Sequence, residues 1–429
     1  MSPSQRPPGR LVTAVVLACT LAAGPSHAQA PAQPPTPALR GLSFELALQQ
    51  ATARAPMLAA RRAAVDGATQ LRISAAELPD PKVFAGVDGL PISGPMRWNI
   101  AAEPMTQRTV GWMQDVPNAA KRAARRQGAE ARADREQALL TMEQLAVQRE
   151  VALAWLARWY AEQRLVSFQA LDDENRLLRE TLNARVAAGS AMPADATMAR
   201  QDALMLADRR DELVREQAQA QAALQRWLGD DAALPLAGAP PALAADRAAL
   251  LAGIDRHADL QAFDPMQRLT QAEVAEAEAM KRGDWNWQVA YSRRGSSFGD
   301  MVSFQLTFEL PMWAAQRQDP QIAARRKDAE RIAAEREDMA RRRREEVAMQ
   351  LAELDELARK AARLRDAALP LAAERVALAM AAYEANRGDL AGVLAARRER
   401  AELGLRALEL EARQQALRTG LNFLIAETR

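Results

Sequence analysis

The sequence predicts a mainly α-helical protein with a transmembrane β part, built as two duplicated halves. Each half runs helix, β-hairpin, long helical hairpin. Three observations predict this. The composition is 49% apolar but only 4% aromatic, with 26% charged residues and only 20 glycines in 429 residues, the bias of long Ala/Leu/Glu/Arg helices. Short segments recur at a spacing near 200 residues. Two stretches of the second half alternate strictly between apolar and polar residues, as a two-faced strand does.

The N-terminus reads as an export signal. Arg6 and Arg10 precede the apolar run Leu11 to Ala23, and Ser26-His27-Ala28 is a small-x-Ala cleavage site before Gln29. This assigns 1–28 to a signal peptide and 29–42 to a disordered linker. Lipidation of Cys19, within Val16-Leu17-Ala18-Cys19, is the alternative. Cleavage after Ala28 leaves no Cys and one histidine, His257. That composition excludes thiol nucleophiles, disulfides and multi-His metal sites. There is no Gly-x-Ser-x-Gly elbow or Gly-rich phosphate loop, so no enzyme chemistry and no cofactor is predicted. With 57 Lys+Arg against 55 Asp+Glu, the chain lacks the basic excess of a nucleic-acid binder. Mean hydropathy is −0.29, and no internal run approaches the roughly 20 apolar residues of a spanning helix.

The duplication rests on recurring segments. Ala123-Ala124-Arg125-Arg126 returns as Ala323-Ala324-Arg325-Arg326, and Ala129-Glu130 as Ala329-Glu330, both at an offset of 200. Leu58-Ala59-Ala60 faces Leu260-Gln261-Ala262 at 202, and Asp115-Val116-Pro117 faces Glu309-Leu310-Pro311 at 194. The halves are then 43–228 and 243–429, joined by a Pro/Gly-rich linker at 229–242.

In the first half, helix is predicted from Ser43, a candidate N-cap, to about Leu78, ended by Pro79-Asp80-Pro81. A Pro-free helix follows from Asn118 to about Val186, with Leu145, Val151, Trp155, Leu156 and Trp159 on one face. Gly189 interrupts it, and Asp195 to Leu228 resumes. The second half repeats this with Asp319 to Asn386, broken at most by Pro370, then Gly388, then Leu390 to Ala426. A helix of about 65 residues is roughly 100 Å long. No globular core is that deep, so these helices must pair as long hairpins.

Between the helices lie the strands. Trp285, Trp287, Val289 and Tyr291 alternate with Asn286, Gln288, Ala290 and Ser292. Val302, Phe304, Leu306, Phe308 and Leu310 alternate with Ser303, Gln305, Thr307 and Glu309. The turn is Arg293 to Asp300. The first half repeats the hairpin as Lys82 to Val87 and Gln107 to Val116. Such a hairpin is ordinarily half-buried on a soluble core, but the neighbouring helices are charged and offer no apolar slab. Apolar-out, polar-in strands of this length in an exported chain fit an outer-membrane barrel, with Trp285, Trp287, Val289, Tyr291, Phe304, Leu306 and Phe308 facing lipid. Four strands cannot close, and open edges are not tolerated in lipid. Two chains give an eight-stranded barrel filled by its own side chains. Three chains give twelve strands with room for a channel.

Local motifs carry a resemblance. Leu78-Pro79-Asp80-Pro81, the run Met105 to Asn118 (MTQRTVGWMQDVPN) and Lys121-Arg122-Ala123-Ala124-Arg125 resemble the first hairpin of the heavy-metal-efflux branch of the TolC-like outer-membrane channels. Tyr383-Glu384-Ala385-Asn386-Arg387-Gly388 resembles that family's Tyr-x-x-Gly periplasmic turn with one or two extra residues, and in the first half Arg185 stands where the Tyr would be. The resemblance implies a homotrimeric 12-stranded β-barrel on an α-helical tunnel. It would be the exit duct of a tripartite pump, set in outer-membrane lipid with a periplasmic extension. The implied partners are a periplasmic adaptor and an inner-membrane transporter of the resistance–nodulation–division (RND) type, with heavy-metal cations as one cargo. It also implies a closed aperture at the helix-hairpin turns Gly189 and Gly388, where Asp195, Arg387, Asp389 and Arg397, with Tyr383, are the candidate gate. The competing reading is a periplasmic helical-hairpin adaptor, which should carry one hairpin flanked by Gly/Val-rich β domains.

The remaining features read plainly. Arg341-Arg342-Arg343-Arg344 is a solvated helix face paired with Glu. Met96, Met105 and Met113 are packing or loop residues, with a soft Cu(I) or Ag(I) ligand set as the alternative. His257 is a helix-surface residue rather than a ligand. Asp172-Asp173-Glu174 is an acidic helix turn, with a cation path as the alternative.

Overall fold

The structure, a computed structural model, describes residues 41–101, 103–295, 298–385 and 387–424. The signal peptide assigned to 1–28, the linker up to residue 40, and Asn386 of the second tip lie outside the described residues.

The expected opening helix is two. Helix α1 (Phe44–Arg54) starts where the Ser43 hydroxyl accepts the Leu46 N–H at 3.1 Å, and α2 (Pro56–Ser74) follows Ala55, whose backbone is extended. Pro56 forces this break, because its ring disfavours helical geometry in the residue before it. Strands β1 (Lys82–Asp88) and β2 (Gln107–Val116) form the first hairpin. Asn118 then caps α3 (Ala119–Ala187), accepting the Lys121 N–H at 2.9 Å. Its 69 residues span about 100 Å. Helix α4 (Pro193–Leu228) returns alongside it.

The second half opens in pieces: α5 (Arg247–Ala252), α6 (Ala258–Gln261) and α7 (Phe263–Ala279). Strands β3 (Trp285–Arg293) and β4 (Met301–Phe308) form the second hairpin. The long helix α8 (Gln318–Arg363) passes through a π turn at Leu364–Ala368 into α9 (Leu369–Glu384). Pro370 has no N–H to give and its ring collides with the preceding turn. The wider π turn absorbs that conflict without ending the helix. Helix α10 (Leu390–Asn422) completes the chain's regular structure.

The core is a string of small clusters along these helices. The largest surrounds Trp155, which is fully buried, meets Phe44 edge-on at 5.5 Å, and donates its indole N–H to the Leu42 carbonyl at 3.1 Å. The 229–242 segment, read from the sequence as a linker, is held to the core at its middle. Leu236 bridges to Leu42 in parallel, with Leu42 N–H on the Pro235 carbonyl at 2.8 Å. Farther along the hairpins, Phe168, Leu171, Leu206, Leu213 and Leu405 form one cluster, and Leu178, Leu182, Ala199, Leu390 and Leu394 another. Both mix α3 and α4 with α10, so the two halves share their cores.

Candidate functional sites: the open sheet and the helical tips

The four strands form one antiparallel sheet in the order β1-β2-β3-β4, so β1 and β4 each keep an edge unpaired within the chain. The register sorts the side chains. Trp285 lies opposite Phe308, Trp287 opposite Leu306, Val289 opposite Phe304, and Tyr291 opposite Val302. Val110 and Trp112 continue the row through Tyr291 and Val289, and Ala85 and Val83 pair with them in turn. All seven strand residues singled out from the sequence therefore share one apolar face. That face is uncovered: Val302 is 73% exposed, Phe304 63% and Phe308 62%. The opposite face is largely polar and internally bonded, with Phe84 lying on it against Gly111. Thr109 and Ser292 hydroxyls lie 3.0 Å apart, Gln288 donates to Gln305 at 2.7 Å, and Lys82 pairs with Asp115 at 2.7 Å. Met113 stands on this polar face, while Met96 and Met105 are exposed between β1 and β2.

Where the sheet meets the helices, the halves are tied by Asp284. Its carboxylate accepts the Asn118 backbone and side-chain N–H groups at 2.9 and 3.0 Å and pairs with Lys121 at 2.7 Å. Burial alone would raise the Asp284 pKa, but the hydrogen bonds from Lys121 and Asn118 and the Lys121 charge outweigh it and lower it. This corner fixes the angle between strand β2 and helix α3 against the start of β3.

At the far end, the two tips pack on each other. Gly189 adopts φ +71, which only glycine adopts freely, and Ser190 N–H returns to the Arg185 carbonyl at 2.8 Å to close α3. Gly388 works differently. Its φ is not positive, and a Cβ there would press on Ala382 at 3.1 Å, so the second turn uses glycine for close approach. Arg185 stacks over the Tyr383 ring at 5.6 Å, a cation–π contact between the two residues that the sequence placed at corresponding positions. Tyr383 is half-buried against the Leu182, Ala199 and Leu390 cluster.

The other gate candidates divide. Asp389 is exposed and caps α10, accepting the Gly392 N–H at 2.8 Å. Asp195 lies half-buried in the first turn of α4, where the helix dipole favours an anion. Arg387 is exposed at the second turn. Arg397 is two turns into α10, half-buried, with its Nε buried and unpartnered. Within one chain none of these four forms an ion pair among the described residues.

Sequence reasoning missed a buried group nearby. Asp202 of α4 is 6% exposed, accepts Asn175 Nδ2 at 2.8 Å and faces Arg398 Nε at 3.2 Å. Burial raises its pKa, with Arg398 and Asn175 pulling the other way. The available signal was an acid in the stripe Ala199, Leu206, Leu213, all buried. Asp172, Asp173 and Glu174 prove to be paired with Arg210, Arg176 and Arg400 at 4.0, 2.9 and 3.0 Å. The arginine run is a paired face, Arg342 meeting Asp338 at 2.7 Å, except that Arg343 turns inward to Asp259. His257 is corrected outright: it is 5% exposed, not a surface residue. The turn before α6 tucks it under α3 and α8.

A mainly helical chain of long hairpins, capped at one end by a small open sheet with a bare apolar face, has the fold of outer-membrane channels. Solved structures match it, these three among them. A membrane protein of Pseudomonas aeruginosa is 20% identical with a TM-score of 0.76, covering 89% of both chains. The outer membrane protein VceC of Vibrio cholerae is 18% identical, TM-score 0.72, covering 89% of this chain and 95% of its own. The open-state MtrE outer membrane channel of Neisseria gonorrhoeae is 16% identical, TM-score 0.65, covering 89% and 88%. No family model and no curated protein matches the chain. The shared fold is the one to which the sequence resemblance points.

Proposed function

We propose that this protein is an outer-membrane channel, the exit duct of a tripartite efflux pump. The observation that carries the reading is the sheet. It offers two unpaired edges and a bare apolar face at one end of helices about 100 Å long. Exposed edges and an apolar face are a liability in water. Three chains joined edge to edge would remove both, giving a 12-stranded barrel with the apolar face toward lipid and the polar face lining the channel. The helical hairpins would then enclose a periplasmic tunnel. The two halves would be 43–228 and 243–429. A periplasmic adaptor and an inner-membrane transporter of the RND type would choose and energise the cargo, heavy-metal cations among the candidates.

The expected result is recovery with outer membranes and survival as a trimer in mild detergent. A soluble periplasmic monomer would overturn the channel reading and favour the adaptor.

The gate is placed at the tips. Threefold symmetry would bring Asp195, Arg387 and Asp389 of each chain round one axis, with Arg397 above them and the Arg185–Tyr383 stack behind. A partly exposed pair contributes up to roughly 1 kcal/mol. Asp389 is also a helix cap, so the charge must be removed without the cap, and Asn caps as well as Asp. Asp195→Asn with Asp389→Asn is expected to raise single-channel conductance in planar bilayers at unchanged trimer yield. Parental conductance would remove both acids from the gate and leave it to Tyr383 and the apolar tip.

A further inference from the structure

A cavity of about 250 Å³ lies between the two halves, away from both sheet and tips. Its polar lining is Arg61 from α2, Glu143 and Arg149 from α3, His257 and Asp259 from the α6 turn, and Arg343 from α8. Four buried nitrogens here have no hydrogen-bond partner: Nε of Arg61, Nε of Arg343, and both ring nitrogens of His257. The nearest carboxylate oxygen to the ring, of Asp259, is 3.6 Å from Nδ1 and is taken by Arg343. Arg149 has Glu150 at 3.2 Å and Arg343 has Glu346 at 2.5 Å. Arg61 has no carboxylate partner among the described residues.

Buried nitrogens are nearly always satisfied in folded proteins. Both arginine Nε–H groups and one ring nitrogen of a neutral His257 are donors, and three such donors in one cavity mark a place for an acceptor. The donors come from three elements, α2, the turn before α6, and α8. A carboxylate offers two coplanar oxygens, whereas a tetrahedral oxyanion offers acceptors on every side. At about 30 Å³ per water the volume equals roughly eight waters, enough for one such ion with part of its hydration. Guanidinium groups suit such an ion in charge and geometry.

We propose that this cavity holds a tetrahedral oxyanion of the phosphate or sulfate class, gripped by Arg61, Arg343 and His257. Arg61 belongs to the first half and His257 and Arg343 to the second, so the ion staples the duplicated halves together. It also couples to a proton. Burial depresses the His257 pKa, Asp259 and Glu346 raise it, and Arg343 and Arg149 lower it, with a net downward shift. Glu143 and Arg61 are the other charged side chains lining the cavity. An anion against the ring raises that pKa, so binding strengthens as pH falls through the range in which His257 titrates.

Sulfate is the probe, because it does not itself titrate near neutrality. The detergent-purified full chain is titrated with sulfate by calorimetry at about pH 6 and about pH 8, against chloride at matched ionic strength. Saturable binding, tighter at the lower pH, is expected. Loss of one charge-assisted donor in Arg61→Met weakens binding about tenfold or more, and Arg61→Lys restores part of it. His257→Asn removes the pH dependence. If Arg61→Met fails to assemble, Arg61→Gln carries the same comparison. Sulfate heat no different from chloride means a water-filled cavity and overturns the proposal, as does parental sulfate affinity in the Arg61 variants.

Discussion

Phe304→Arg is expected to abolish the detergent-stable trimer, whereas Gln305→Arg, one residue along, leaves it assembled. Both lie in the middle of β4, and register separates them. Phe304 pairs with Val289 on the apolar face and Gln305 with Gln288 on the polar one. An arginine on the lipid face near the bilayer midplane costs about 2–4 kcal/mol. Three chains each carry it, so the penalty is roughly 6–12 kcal/mol per trimer, comparable to the whole net stability of an ordinary domain. On the polar face the guanidinium meets water and the Gln288 side chain, and the substitution breaks a single exposed hydrogen bond, Gln288 to Gln305 at 2.7 Å. The measurement is trimer yield in outer-membrane extracts by native electrophoresis. Equal loss in both variants would show that the sheet's apolar face does not meet lipid.

The strand faces are legible in the sequence because a strand's period is two and needs no partner to be read. Trp285 to Tyr291 and Val302 to Phe308 declare their faces in their own alternation, and the observed pairing puts Trp285, Trp287, Val289 and Tyr291 opposite Phe308, Leu306, Phe304 and Val302. Helix α3 is legible for a similar reason, since nothing in 118–186 breaks a helix and Asn118 caps it. Helix interruptions are harder to read. Apolar periodicity runs on through Pro56, although that residue splits α1 from α2, and the π turn before Pro370 cannot be foreseen from residue types alone. Glycine is ambiguous in the same way. Gly189 and Gly388 look alike as letters, yet one supplies a positive φ and the other a close approach to Ala382.

The tips and the inter-half contacts are partly hidden because they depend on tertiary packing. Arg185 and Tyr383 stand at corresponding positions in the two halves, but their stacking requires the two tips to meet. His257, in the turn before α6, and Asp202, on α4, defeat the ordinary expectation that a polar residue in a polar segment belongs in water. Asp202 sits on the buried stripe of α4, one turn from Leu206, so the period of the helix already argues against solvent. His257 carries no such mark, since only the fold of the short 254–261 segment buries it.

Asp202 yields the second large effect, with a pH signature. Its folded pKa is raised, burial prevailing over Arg398 and Asn175. The folded state therefore binds a proton at a pH where the unfolded chain, near 3.9, does not. Stability falls as pH rises wherever the native state holds more protons, so ionised Asp202 is a cost carried at neutral pH and relieved below its folded pKa. Arg398 pairs with that charge across α4 and α10 at 3.2 Å. Arg398→Leu is expected to destabilise by about 2–3 kcal/mol near neutrality, below the 3–5 kcal/mol of a fully buried broken pair, because the Arg398 side chain is 37% exposed. With Arg398 gone, the Asp202 pKa rises further, so mild acid should recover much of the loss. Asp202→Asn should recover it at every pH, since the amide leaves no charge to compensate. Melting temperatures of the parent, Arg398→Leu, and the double variant Asp202→Asn/Arg398→Leu, each at about pH 5 and about pH 8, give the comparison. A deficit in Arg398→Leu that is the same at both pH values, or that persists in the double variant, would mean that Arg398 acts through packing of its stem and not through the Asp202 charge.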